Sequence, residues 1–278
     1  MPELPEVETS LRYLNHFLKN SKILNIEFFV KKLRWEINPK INKLFNDSII
    51  IDLERFGKYI LIHSSNTNSL IIHLGMSGYL KVENFDFTKI KHDHVVLTFR
   101  SMNNQIKRLV LNDQRRFGFI DFKNTYHLKN HFLIKNLGID ALSKHLSVDY
   151  FKNKFIGKQK NIKNALLDQK LVCGIGNIYA SEILFLAKIH PLKEVSYLNE
   201  KEIELLIQNI IAVLNNAIVN GGTSIKNFKK PDGKLGYFKQ KLKVYGRDNQ
   251  SCYNCSNKIL QIKINKRATY LCVNCQKN

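Results

Sequence analysis

Acidic residues are the scarce class in this 278-residue chain: 23 Asp and Glu stand against 44 Lys and Arg, a formal net charge of +21. That imbalance leaves a polyanion as the favoured partner, usually nucleic acid and sometimes an anionic membrane surface. Total charge alone is also explained by a Lys-rich surface in a Lys-, Asn- and Ile-heavy composition. Long hydrophobic runs are missing, and none approaches the ~18 residues of a membrane span. The N-terminus lacks the apolar core of a signal peptide, so a soluble, intracellular protein without membrane association is expected. Cysteine is sparse, with five in all, four of them crowded near the C-terminus and Cys173 alone, which excludes a disulfide framework. Internal repeats and low-complexity stretches are absent.

What is present is organised in blocks. Residues 152–163 hold five lysines (Lys152, Lys154, Lys158, Lys160, Lys163) and no acid, and residues 226–247 hold eight basic residues against Asp232 alone. Clustering of this kind indicates a binding face better than net charge does. Residues 3–20 predict an amphipathic helix, with Val7, Leu11, Leu14 and Leu18 at helical spacing and Pro5 in a permitted first turn. Short β-branched runs follow, from "ILNIEFFV" to "FGFIDF", and predict a β-sandwich or barrel. Past residue 130 the period lengthens. "NIYASEILFLA" reads as a helix, and so does "NEKEIELLIQNIIAVLNNAIVNGG", with Asn199 as N-cap and Gly221 as stop. The boundary is expected within residues 134–147.

Cys252-x2-Cys255 and Cys272-x2-Cys275 form the strongest spacing signal. Two such knuckles can place four thiolates around one zinc ion, and with no open coordination position the ion would be structural. The residues between them alternate like a hairpin, with Asn265–Lys266 at the tip and Arg267 just beyond, placed to probe a phosphate or groove. "LLDQKLVCGIGNIYASE" reads as helix, turn, helix, with Asn177 a candidate cap. Its Gly174 and Gly176 suit either a plain interhelical turn or a phosphate site at a helix start.

Against this basic background, "MPELPEVETS" concentrates Glu3, Glu6 and Glu8 with Pro2 and Pro5. Removal of Met1 would free the Pro2 nitrogen as a secondary amine. An α-amino group titrates near ~8 and, when neutral, forms an imine with a carbon at the aldehyde oxidation level. Glu3 is placed to move a proton and Glu6 to orient the pair. Taken alone, these ten residues favour a plainer reading, in which prolines stiffen a helix entrance and glutamates favour the positive end of its dipole.

The opening motif resembles the start of bacterial formamidopyrimidine-DNA glycosylase, a bifunctional 8-oxoguanine glycosylase/AP lyase family of base excision repair. The resemblance runs along the whole chain through "GKYIL", "HLGMSG", "KHDHV", "DQRRFG", "LLDQKLVCGIGNIYASE", "GGTSIKNF", "PDGKLGYF", "KVYGR" and the four cysteines. It implies an α+β protein with an N-terminal β-sandwich flanked by helices, a helical domain with a helix–two-turn–helix, and a β-hairpin zinc finger holding one structural Zn2+. The expected division is a catalytic domain at 1–133, a linker at 134–147, a helical domain at 148–240 with a lesion-recognition loop at 221–237, and the finger at 241–278.

By the same resemblance Pro2 attacks C1′ of the damaged nucleotide and Glu3 supplies the proton. Lys58 is assigned to β-elimination and Arg267 to δ-elimination. Met76, Arg115 and Phe117 match the trio that fills the gap left by the flipped base. His73, His92, Lys158 and Asn177 match DNA contacts, Lys163 a further basic neighbour of the site, Tyr237 a phosphate contact and Lys226 a base contact. The implied partner is damaged double-stranded DNA, bound by a monomer in the cytoplasm at the nucleoid. Departures from the family pattern are the missing linker proline in "LGID", Asn164–Ala165 in place of a Pro–aromatic pair, and Asn265–Lys266 in place of two finger-tip glycines. Two other readings stay open here: an endonuclease VIII-type glycosylase for oxidised pyrimidines, and a non-catalytic zinc-finger DNA-binding protein. RNA binding would use the charge but leave the N-terminal motif unexplained.

Overall fold

The computed structural model describes residues 1–223 and 238–277. The chain divides into two compact units, Met1–Lys135 with Asn220–Lys239, and Asn136–Val219 with Gln240–Asn278.

The first unit opens with α1 (Leu4–Leu18), whose start is fixed by Glu3 at the N-cap, a proline in the first turn and the Glu6 carboxylate accepting the Glu3 N–H at 2.9 Å. Its buried stripe is Leu4, Val7, Leu14 and Leu18. On its flank Glu8 accepts from Arg12 at 2.8 Å and from Arg55 at 2.9 Å, tying the helix to a neighbouring strand. Then come β1 (Lys22–Phe28), α2 (Lys40–Phe45), β2 (Ile50–Phe56), β3 (Tyr59–Ser64), β4 (Asn68–His73), β5 (Tyr79–Asn84), β6 (Asp93–Arg100), β7 (Ile106–Asn112) and β8 (Phe119–Asn124).

They form two four-stranded antiparallel sheets, ordered β1-β6-β7-β5 and β2-β3-β4-β8. The sandwich alternative is therefore the correct one, because neither sheet closes on itself. Between the sheets lie Ile23, Leu97, Phe99 and Leu109 from one and Ile60, Ile62, Leu70 and Ile72 from the other, packed with the α1 stripe and with Ile41 and Phe45 of α2. Each such side chain contributes about 1.5–3 kcal/mol on burial. Leu61 and Ile71 face the opposite way and are covered by Ile134. Burial on both faces is why "YILIHS" and "NSLIIH" read as continuous apolar runs and not as alternating strands.

The second unit contains β9 (Ile139–Asp140), α3 (Val148–Phe155), α4 (Ile162–Leu167), β10 (Val172–Cys173), α5 (Asn177–Leu186), α6 (Glu200–Val219), β11 (Leu260–Ile264) and β12 (Arg267–Leu271), with β9 and β10 paired in parallel. Ser147 and Asn161 cap α3 and α4 through bonds from the N–H groups of Tyr150 and Asn164. The expected Asn199 cap is present as a reciprocal pair with Glu202, both bonds 3.0 Å. By length and composition α6 would suffice to cross a bilayer, although the sequence offers no uninterrupted apolar run. Its buried residues, among them Ile203, Leu206, Ile210, Leu214 and Ala217, recur at helical spacing, and it packs on α5 and α3 as a core helix does.

One sequence expectation fails. Gly176, not Asn177, is the N-cap of α5. Asn177 already has helical backbone, and its side-chain amide donates instead to the Ala268 carbonyl at 2.8 Å.

The β11–β12 hairpin turns through Asn265 and Lys266, with φ of 47° and 62°. Two left-handed residues in a two-residue loop are the geometry of a type I′ turn, which Asn tolerates and Lys adopts at a cost of roughly 1–2 kcal/mol. Arg267 then begins β12 opposite Ile264, so the turn survives the loss of its glycines.

Glu182 of α5 is buried, and its carboxylate accepts the N–H groups of Lys243, Val244 and Tyr245 at 2.7–2.9 Å. This fixes the chain where it enters the finger. Burial pushes the Glu182 carboxyl above the usual range, and the three N–H donors pull it back. Glu182→Ala leaves three backbone donors, that of Val244 buried, without this acceptor and is expected to cost about 2–4 kcal/mol in urea unfolding. A loss under about 0.5 kcal/mol would contradict this anchoring role.

Candidate functional site

Pro2 and Glu3 are both buried in the first unit. What holds them there is Glu6. Its Oε2 accepts the Glu3 N–H, while its Oε1 accepts the Thr223 N–H at 2.7 Å and the Thr223 hydroxyl at 2.9 Å. Gly222, at φ +76°, comes so close that a Cβ on it would lie 2.8 Å from that Oε1. Only glycine meets both requirements there.

Lys58 sits at the β2–β3 turn, following Gly57 at φ 57°, as in a two-residue hairpin with glycine first. It is 7% exposed and close enough to act on the α-amino group of Met1. Burial lowers that amine below its ordinary value, the charges of Glu3 and Glu6 oppose the shift, and those of Lys58 and Arg115 reinforce it.

Met1 opens onto a cavity of about 590 Å³ that is also lined by Arg34, His73, Met76, Arg115 and Phe117. Met76 and Phe117 are 40% and 41% exposed, far more than apolar core residues, and the Arg115 guanidinium lies 4.8 Å from the Phe117 ring. Four of the residues expected from sequence therefore share one cavity, onto which Met1, the neighbour of Pro2, also opens. His92 is not among its lining residues; it precedes β6 at φ 74°, with its ring 6.1 Å from that of His94.

His73 is held neutral. Burial first, then the nearby positive charges of Lys58 and Arg34, lowers its pKa to about 4. Its Nδ1 accepts the Gly75 N–H at 3.0 Å, which leaves the proton on Nε2.

The remaining expected residues lie in the second unit. Lys158 is exposed in the connection between α3 and α4. Lys163 is not a surface residue: it is fully buried, and its Nζ donates to the Asn177 carbonyl at 3.1 Å and the Ser181 hydroxyl at 2.6 Å. These two contacts tie it to the N-terminal part of α5. Arg267 is exposed beside Ala268, whose carbonyl Asn177 holds. Lys226 and Tyr237 lie outside the described residues, as does all of the 221–237 loop after Thr223.

The Sγ atoms of Cys252, Cys255, Cys272 and Cys275 lie within 4.8 Å of one another, with Cys252–Cys275 at 3.9 Å and Cys255–Cys272 at 3.4 Å. Tetrahedral bonds of about 2.3 Å to one metal ion would put sulfurs about 3.8 Å apart, so the donor set fits such an ion. Hydrogen bonds from Asn257 and Asn274 pull the Cys255 thiol down to about 6, while burial pushes those of Cys272 and Cys275 up.

This arrangement matches known proteins from end to end. The formamidopyrimidine-DNA glycosylase N-terminal domain profile matches residues 1–120, and the formamidopyrimidine-DNA glycosylase H2TH domain profile matches residues 137–229. The formamidopyrimidine-DNA glycosylase of Rickettsia felis is 44% identical over 280 residues, covering 99% of this chain and 98% of the relative. The Lactococcus lactis Fpg in complex with an abasic-site-containing DNA superposes with a TM-score of 0.90 at 35% identity, covering 100% of both chains. The same L. lactis protein bound to an oxidized-pyrimidine-containing DNA gives 0.89.

The chain belongs to the formamidopyrimidine-DNA glycosylase family. It is a DNA-binding glycosylase and AP lyase of base excision repair.

Sequence reasoning missed several residues that shape this glycosylase's site. Thr223 lies inside the quoted "GGTSIKNF", yet only the tertiary fold shows that it caps Glu6. Ser181 likewise lies inside the quoted "LLDQKLVCGIGNIYASE", and only the fold shows that it accepts from Lys163. The neutral state of His73 makes a testable contribution to stability. The folded pKa lies below the unfolded value of about 6.5, so the unfolded chain binds the extra proton first as pH falls. The contribution is complete above about pH 6.5 and declines toward pH 4. Between pH 7 and about pH 4.5, wild type is expected to lose about 2 kcal/mol more in urea unfolding than His73→Gln. Equal losses would place His73 in a solvated environment.

Proposed function

We propose that this glycosylase excises oxidised purines, 8-oxoguanine and formamidopyrimidines, from duplex DNA through a Schiff base on Pro2, followed by β,δ-elimination. The observation that carries the reading is the burial of Pro2 and Glu3 beside Met1, which opens onto a cavity lined by Met76, Arg115 and Phe117. Removal of Met1 frees the Pro2 nitrogen in an environment that already lowers the pKa of an amine, so a neutral nucleophile is available at physiological pH.

The Pro2 nitrogen bonds to C1′ as the N-glycosidic bond breaks, and the base departs with the bonding electrons and takes up the proton that the Pro2 nitrogen gives up. Glu3 gives its proton to the sugar ring oxygen, and the opened ring leaves an iminium on Pro2. Loss of a C2′ proton then expels the 3′ phosphate, and a second elimination expels the 5′ phosphate. Lys58 is assigned to the first elimination and Arg267 to the second. Met76 and Phe117 fill the space vacated by the extruded nucleotide, and Arg115 presents a fork of donors to the orphaned cytosine. His73 donates from Nε2, while His92, Lys158, Asn177 and Tyr237 take phosphates, and Lys226 contacts the base. Lys163 acts from beneath α5 and not on DNA directly. The four domain segments expected from sequence, a monomeric state and a cytoplasmic, nucleoid-associated location belong to the same reading.

Borohydride trapping on a duplex with one 8-oxoguanine opposite cytosine is expected to give an adduct mapping to Pro2. The adduct should form far more slowly in Pro2→Gly, whose terminal amine lacks the ring that fixes its position, and about 10²–10⁴-fold more slowly in Glu3→Gln. Trapping confined to an oxidised-pyrimidine duplex would move the substrate class, and tight duplex binding with no trapping would leave only a DNA-binding protein.

The cysteine cluster is assigned one structural Zn2+, with all four thiolates as ligands. Metal analysis is expected to return about one zinc per chain. Chelation under mild denaturant should abolish duplex binding while the β-sandwich keeps its near-ultraviolet signature. Full binding by the metal-free protein would refute the assignment.

A further inference from the structure

The residues assigned to the DNA gap come from two separate turns, Met76 from the β4–β5 connection and Arg115 and Phe117 from the β7–β8 connection. Neither turn is part of a sheet ladder, so something else must fix one against the other. The buried carboxylate of Asp113 lies between them, with 0% exposure. Its Oδ1 accepts the Ser77 hydroxyl at 2.6 Å and the Arg115 N–H at 3.3 Å, and its Oδ2 accepts the Gly118 N–H at 2.6 Å. The Ser77 hydroxyl oxygen in turn accepts the Arg115 N–H at 3.1 Å.

The Asp113 backbone is itself held. Its N–H donates to the His92 carbonyl at 3.0 Å, and its own carbonyl accepts from Arg116 N–H at 3.2 Å and lies 3.0 Å from His94 Nε2. The two turns also touch backbone to backbone: a Cβ on Gly75 would fall 2.3 Å from the Phe117 carbonyl carbon. Within the second turn Arg116 sits at φ 55°, a left-handed conformation that a non-glycine residue keeps only under constraint from its surroundings.

We propose that Asp113 is the positioning residue of the gap-filling side chains, a carboxylate clamp that sets Met76 against Arg115 and Phe117 and thereby the enzyme's discrimination of the base opposite the lesion. Ionised carboxylate oxygens accept only, which suits a point where a hydroxyl and two N–H groups converge. Asp113→Asn keeps the shape but turns an NH₂ toward one of those donors, and one turn is released from the other. This rests on the reading of Met76, Arg115 and Phe117 as the residues that occupy the gap.

The test uses the full-length protein on duplexes with 8-oxoguanine opposite cytosine and opposite adenine, with Arg115→Ala as benchmark. Asp113→Asn is expected to slow excision opposite cytosine about 10–100-fold, the penalty of a side chain misplaced by an ångström or so. The cytosine-over-adenine preference should collapse to the Arg115→Ala level. General destabilisation would slow both substrates alike, so a preserved preference in folded Asp113→Asn overturns the proposal. Should that variant fail to fold, Ser77→Ala decides, since it removes one strut and keeps the Gly118 bond: a reduced preference supports the clamp and an unchanged one overturns it. Amide hydrogen exchange at Arg115 and Gly118 gives a readout independent of catalysis, with protection lost in Asp113→Asn or the clamp disproved. If wild type excised neither lesion, the functional reading would fall, and exchange would still decide the clamp.

Discussion

The carboxylate of Glu6 is the contact on which the N-terminal site depends. It lies under the first turn of α1, where the exposed N–H groups of a helix start favour negative charge. From there one oxygen holds Glu3, and the other holds Thr223, 217 positions away in sequence. A short N-terminal segment would ordinarily be among the least ordered parts of a domain. Here it is buried and fixed, because one acid satisfies backbone donors on both sides and a glycine lets the second strand of chain come close enough. The carboxylates that looked out of place in a basic protein are the means by which its terminus is held.

Around that point the electrostatics are sorted by environment. Burial lowers the terminal amine, and the charges of Lys58 and Arg115 add to that effect; Arg34 and Arg115 line the cavity onto which Met1 opens. Burial, with the charges of Lys58 and Arg34, keeps His73 uncharged, so it adds no further positive charge to the cavity. Around a site that handles phosphodiesters, burial and the charges suited to attracting the substrate disfavour protonation of a terminal amine, while Glu3 and Glu6 oppose the shift.

The second unit shows the same economy with buried polar groups. Lys163 and Glu182 are both buried near α5, yet each is directed at backbone or hydroxyl partners on or around that helix. Lys163 steadies the first turn, whose residue Asn177 reaches the finger strand at Ala268. Glu182 secures the chain that leads into the finger. Of two charged side chains that read as a candidate functional residue or as nothing, Lys163 ties α4 to α5 and Glu182 ties α5 to the chain that leads into the finger.

By itself the sequence determined the eight strands of the sandwich, the helices at α1, α5 and α6 and the finger hairpin, because periodicity, caps and turn residues are local properties. The four-cysteine cluster was legible for the same reason: ligand spacing is written in consecutive residues. The short helices α2 and α3 were not assigned, since six to eight residues offer too few turns for a periodic signal, and α4 was read only in part, as the first helix of "LLDQKLVCGIGNIYASE". The strand pattern alone left sandwich and barrel open; the family resemblance implied the sandwich and the tertiary structure shows it, because sheet closure depends on which edge strands meet. Only the tertiary structure decided that Lys163 is internal, that Asn177 reaches across to Ala268 instead of capping its own helix, and that Asp113 and Thr223 matter at all. Those properties depend on partners far apart in the chain, and no local pattern encodes the partner of a buried charge.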